Sequence, residues 1–181
     1  MYIQIEQTPN HNAIKFMVNG LCKQGNLFDY EKLDTSTKPS FVNQLFEIPS
    51  IVRVFVTSDF VTITKTEDEN FDIIKPDIFQ ILFEAKINSD TEPEIVNQES
   101  HEDLDEISKQ IIEILEDRIK PAVAMDGGDI SFVSFDSKTG IVYVKMKGSC
   151  SGCPSAAVTL QQGIKRTLQH YIPEVFEVAA V

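Results

Sequence analysis

Basic residues are scarce in this chain. Its 16 Lys and Arg face 28 Asp and Glu, a formal net charge of −12, and a binder of nucleic acid or of anionic membranes would want the opposite sign. Long apolar runs are also missing: the longest, such as Ile141 to Val144, fall far short of the roughly 20 residues that span a bilayer, so no transmembrane helix is encoded. The opening, Met1 to Glu6, alternates like a strand and has neither a basic n-region nor an Arg-rich leader. A cytosolic location is the expectation. Cysteine is sparse and odd in number, three in all, with two of them in Cys150-Ser151-Gly152-Cys153. Without an export signal, that pattern points to reactive thiols or metal ligands rather than a structural disulfide.

What is present is enough apolar side chain for a core: 181 residues that are 42% hydrophobic suit one domain or two small ones. Residues 88–103 read NSDTEPEIVNQESHED, six acids with no Lys or Arg and only Ile95 and Val96 as bulky apolars. Such a stretch cannot bury a core and reads as an acidic flexible linker. Residues 1–87 hold 8 basic and 12 acidic side chains and residues 104–181 hold 8 and 10. Half of the net charge therefore lies in the tether.

In residues 1–87, Ile3 and Ile5, then Ile14, Phe16 and Val18, alternate with polar neighbours about the turn Thr8-Pro9-Asn10, which predicts a strand pair. Phe41 or Val42, Leu45 and Ile48 recur at helical spacing before Pro49 ends the run, which predicts a short helix. Ile51 to Val56 and Phe60 to Thr66 form a second hairpin around Ser58-Asp59, and Phe71, Ile74, Ile78, Leu82 and Ala85 mark a helix that needs Pro76 in its first turn. The order is ββαββα.

Residues 104–181 open with Asp103-Leu104-Asp105-Glu106, read as a capping box, and Leu104, Ile107, Ile111, Ile114 or Leu115, and Ile119 line one helical face that Pro121 should end. Two strands, Ile130 to Phe135 and Ile141 to Lys147, flank the turn Asp136 to Gly140 and should pair antiparallel. A helix follows from Pro154, with Ala157, Leu160, Ile164 and Leu168 on its apolar stripe, and then a strand from Val175 to Ala180. The order is αββαβ, so the whole chain is α+β in two small domains.

The CxxC falls between a strand end and a helix start. There the unpaired N–H groups stabilise an anion by roughly 0.3 to 1 kcal/mol, and Lys145 and Lys147 should add to the preference for thiolate. Gly148, Ser149, Ser151 and Gly152 keep the loop small and accessible. A dithiol redox motif needs only the pair. Structural zinc needs four ligands, and Cys22, His11, His101 and His170 are scattered one by one. An iron–sulfur cluster also takes four cysteines, which two chains could supply at a shared interface. Spacing alone leaves the redox reading in front.

The surroundings reverse that order. Ile119-Lys120-Pro121, Asp126-Gly127-Gly128-Asp129, Val142-Tyr143-Val144, Gly148-Ser149-Cys150-Ser151-Gly152-Cys153-Pro154-Ser155, Thr159-Leu160, Gly163-Ile164 and Ile172-Pro173-Glu174-Val175 resemble the NifU-like C-terminal domain of the Nfu family of iron–sulfur carriers, over residues 104–181. Residues 1–87 are similar to the N-terminal domain of many Nfu proteins. The matches are Ile3-Gln4, Thr8-Pro9-Asn10, Lys15-Phe16, Leu45 to Pro49, Val54-Phe55, Asp59 to Lys65 and Lys75-Pro76; Phe71, Ser50 and Pro39 depart from the pattern.

The resemblance implies that Cys150 and Cys153 ligate a 4Fe-4S cluster, or a 2Fe-2S form, shared in a homodimer. It implies a scaffold or carrier, not an enzyme, that passes the cluster to apo iron–sulfur proteins and meets upstream cluster-assembly proteins. No catalytic residue is implied. The alternatives are a thiol-disulfide oxidoreductase using the same pair, or an adaptor with bare thiols. Blander readings hold elsewhere: Asp126 and Asp129 bracket a turn, Cys22 packs as a small hydrophobe, and His170 answers a helix C-terminus.

Overall fold

The computed structural model describes residues 3–87, 104–151 and 154–181, with only the backbone of 154–157. It divides into two compact units, Met1–Gln98 and Glu99–Val181; the expected linker at 88–103 lies outside the described residues.

The first unit contains β1 (Gln4–Gln7), β2 (Ala13–Met17), β3 (Leu27–Glu31), α1 (Ser40–Glu47), β4 (Ile51–Thr57), β5 (Phe60–Lys65) and α2 (Phe71–Ile87). Its strands form one sheet in the order β1-β2-β5-β4-β3, antiparallel throughout. Both expected hairpins are there. The additional strand, β3, sets Phe28 and Tyr30 against Asp29 and Glu31. The two rings stack at 6.0 Å, and both acids pair with Arg53 of β4. One sheet face buries Ile14, Phe16, Val54, Val56, Val61 and Ile63 with Val42 and Leu45 of α1 and Ile74, Ile78 and Leu82 of α2. Pro76 does not lie in the first turn of α2. Asn70 sets the start instead, its side chain accepting from Asp72 N at 2.9 Å, so the proline falls in the second turn and removes one bond from the ladder.

The second unit contains α3 (Glu106–Ile114), a π-helical turn (Leu115–Ile119), α4 (Lys120–Met125), β6 (Gly128–Asp136), β7 (Ile141–Gly148), α5 (Pro154–Tyr171) and β8 (Glu177–Ala180). The sheet order is β6-β7-β8, antiparallel for the first pair and parallel for the second. Ile111, Leu115, Ile119 and Val123 pack with Ile130, Val142, Val144, Ile164 and Leu168 in one core. Two local expectations are corrected here. The N-cap is Asp105, which accepts from Ser108 N at 2.9 Å and from Ser108 Oγ at 2.8 Å, not a box beginning at Asp103. Nor does Pro121 end the helix. The ladder widens just before it, Lys120 N reaching Leu115 O, and Pro121 follows as the second residue of α4, which continues the same run of helix.

Candidate functional site

Strand β7 ends at Gly148, whose φ of +66° turns the chain out of the sheet at little steric cost. The segment that follows is fastened from both sides. Ser149 N donates to Gly127 O at 3.2 Å and Ser149 Oγ donates to Asp126 O. Ser151 Oγ donates to Gly148 O at 3.1 Å and to Met146 O at 3.3 Å. These serines are fasteners, a role that their small size alone did not announce.

The opposing wall is the turn from α4 into β6. Gly127 has φ +81°, as the turn reading of Asp126 to Asp129 requires. Gly128 faces Cys150 so closely that an added Cβ would stand 2.5 Å from Sγ and 2.7 Å from Lys147 O. Only glycine leaves that space to the sulfur.

Cys150 is 6% exposed and its thiol is pushed up to about 11. Burial is the main cause. The carboxylates of Asp126 and Asp129 push the same way, against a hydrogen bond from Ser149, with Sγ and Oγ 3.9 Å apart. The expected preference for thiolate at Cys150, and its ready access, are thus corrected: desolvation outweighs a helix start several residues away. Lys147 lies across the ladder from Asp129 and acts on that carboxyl, which burial raises while Lys120 and Lys147 oppose the shift. Asp129 Oδ2 is buried and has no hydrogen-bond partner among the described residues.

Cys153 lies outside the described residues. Helix α5 begins at the next residue. Cys22 belongs to the core of the first unit, as expected, its thiol donating to Asn26 O at 3.4 Å. His11 lies in an exposed turn, His101 is outside the described residues, and His170 stands in the last turn of α5 with its ring edge-on to Tyr171 at 4.8 Å. Among the described residues, no three His, Cys, Asp or Glu side chains group to hold a metal ion.

Comparison with known proteins matches residues 3–88 to the family described as scaffold protein Nfu/NifU N terminal and residues 111–179 to the NifU-like domain. NifU-like protein 5, mitochondrial, of Arabidopsis thaliana is 39% identical over 97% of this chain and 66% of its own length. The NFU1 iron-sulfur cluster scaffold homolog, mitochondrial, of Drosophila willistoni is 40% identical over 100% of this chain and 64% of its own length. The chain therefore spans slightly less than two thirds of these relatives. A solved structure of a NifU-like protein from Saccharomyces cerevisiae aligns at 26% identity and a TM-score of 0.44, over 46% of this chain and 76% of that one. The relatives' names overturn the cytosolic expectation and point to the mitochondrion.

Proposed function

The chain belongs to the Nfu family, with an Nfu-type N-terminal domain and a NifU-like C-terminal domain, and from that premise we propose that it is an iron–sulfur cluster scaffold. Its cargo is a 4Fe-4S cluster held between two copies of the chain and passed to apoproteins. Residues 1–87 and 104–181 are its two domains and 88–103 the tether. Cys150 and Cys153 are the ligands, two from each copy, which meets the four thiolates that a cluster takes.

The observation that carries this reading is the mounting of Cys150: a cysteine loop tied by Ser149 to the turn at Asp126 and by Ser151 to the end of β7, with Gly128 leaving open the space beside the sulfur. Fit to a cluster is supported by the donor chemistry. The loop offers sulfur, the donor that an iron–sulfur cluster takes. When held there the cluster supplies the iron and sulfide that recipients lack. The chain's own part is to present thiols, to keep their backbone in register and to release. The role is that of a carrier rather than a catalyst.

Anaerobic reconstitution of the full chain with iron and sulfide tests the ligand assignment. Wild type should turn brown and lose iron to an added apoprotein, while Cys150→Ser and Cys153→Ser should each retain little. Cys22→Ala should load normally. A Cys150→Ser chain that loads and donates like wild type would overturn the assignment.

A further inference from the structure

The first unit carries a groove of about 640 Å³ between the end of α1, the turn into β4 and the flank of α2. Ile74 and Ile81 give it an apolar side, and Glu47, Asp68, Glu69 and Asp77 stand around it. Among the described residues, no Lys or Arg lines it. The cations nearby are turned to the backbone: Lys32 Nζ donates to Ile48 O at 3.2 Å and Pro49 O at 2.9 Å, and Lys65 Nζ to Thr66 O at 3.0 Å.

A second observation points to a ligand. Ser50 lines the same groove, is 9% exposed, and its hydroxyl has no hydrogen-bond partner among the described residues, although its carbonyl accepts from Thr66 N at 2.8 Å. Buried polar groups normally find partners, and this one has none among the described residues although its residue lines the groove. The acids are not arranged for a metal ion, since no three of them group to hold one among the described residues. Four carboxylates spread around an apolar floor suit a longer object with spaced positive charges.

We propose that this groove docks a basic, amphipathic segment of a partner protein, its apolar side chains on the Ile74 and Ile81 side and its Lys or Arg heads against the four carboxylates. The proposal concerns the first unit alone and stands whether or not the cluster assignment does.

Fluorescence anisotropy on the full-length chain tests it, with a labelled peptide alternating lysine and leucine as probe and lysine–serine and glutamate–leucine peptides as controls. The lysine–leucine peptide should bind best and weaken as salt is raised. Glu47→Lys with Asp77→Lys should weaken it about tenfold or more, because like charges oppose docking. Glu113→Lys with Asp117→Lys makes the same charge change on exposed positions of the second unit and should leave binding nearly unchanged. Should the first double variant not fold, Glu47→Gln with Asp77→Asn keeps side-chain size and should still weaken binding. Equal weakening by the groove and control variants would reduce the effect to general attraction by a chain of net charge −12 and overturn the proposal, as would equal binding of the glutamate–leucine peptide.

Discussion

At Gly128 the fit between turn and cysteine loop is decided by a single hydrogen. A methyl group there would meet Cys150 Sγ at 2.5 Å and the Lys147 carbonyl at 2.7 Å, and a backbone oxygen inside a strand ladder cannot swing aside as a flexible side chain does. Gly128→Ala should therefore cost about 1 to 3 kcal/mol, the usual penalty of overpacking, read from urea unfolding of the chain without cluster. It should also lower iron per chain after reconstitution. Wild-type stability and loading together would show that the close approach has no role. Ser149 is 2% exposed and ties the loop to Asp126 O. Removing its hydroxyl in Ser149→Ala should cost about 0.5 to 1.5 kcal/mol, and iron should leave faster to a chelator. None of this was legible in the sequence beyond the glycine pair and the small loop residues. Periodicity ranks residues by hydrophobic face, whereas these contacts join the end of α4 to the end of β7 across the fold.

Helix α5 sets where the cysteine loop ends, and it is fixed to its sheet by Ile164 and Leu168, which are 2% and 0% exposed. Leu168→Ala should cost about 2 to 5 kcal/mol, the cavity penalty for a buried leucine, measured as a fall in the denaturant midpoint. Helix α3 starts on Asp105, whose carboxyl is held below its ordinary range mainly by the hydrogen bond from Ser108 N and then by the Ser108 hydroxyl. A carboxyl lowered in the folded state contributes fully above its unfolded pKa and loses that contribution as pH falls through the folded value. Thermal midpoints of wild type and Asp105→Ala should therefore differ at neutral pH, with wild type higher, and converge in acid. The element pattern was readable wherever an apolar stripe was long, as in α3, α5 and the two hairpins of the first unit. It was less readable where one residue had two uses. Pro121 is a stop signal in isolation, but the wide π turn before it absorbs the missing donor. Strand β3 is short, and its alternation of Phe28 and Tyr30 with Asp29 and Glu31 gains force only when Arg53 of β4 pairs with both acids.

Across the whole molecule, two compact units with separate cores imply separable tasks. Residues 104–181 expressed alone should fold and load a cluster, because both proposed ligands and their glycine turn lie within them; a folded fragment that cannot load would place a ligand elsewhere. Removing residues 1–87 should slow transfer to some recipients more than others, since a tether raises the effective concentration of a partner held by one domain near the other. Equal rates across several apoproteins at low concentration would assign the first domain another task. The central claim, a cluster shared by two chains through Cys150 and Cys153, is tested most directly by native mass spectrometry of the anaerobically reconstituted chain. The account predicts a dimer carrying a single 4Fe-4S cluster, falling to cluster-free monomers in the Cys150→Ser chain. A monomer carrying a complete cluster would contradict it.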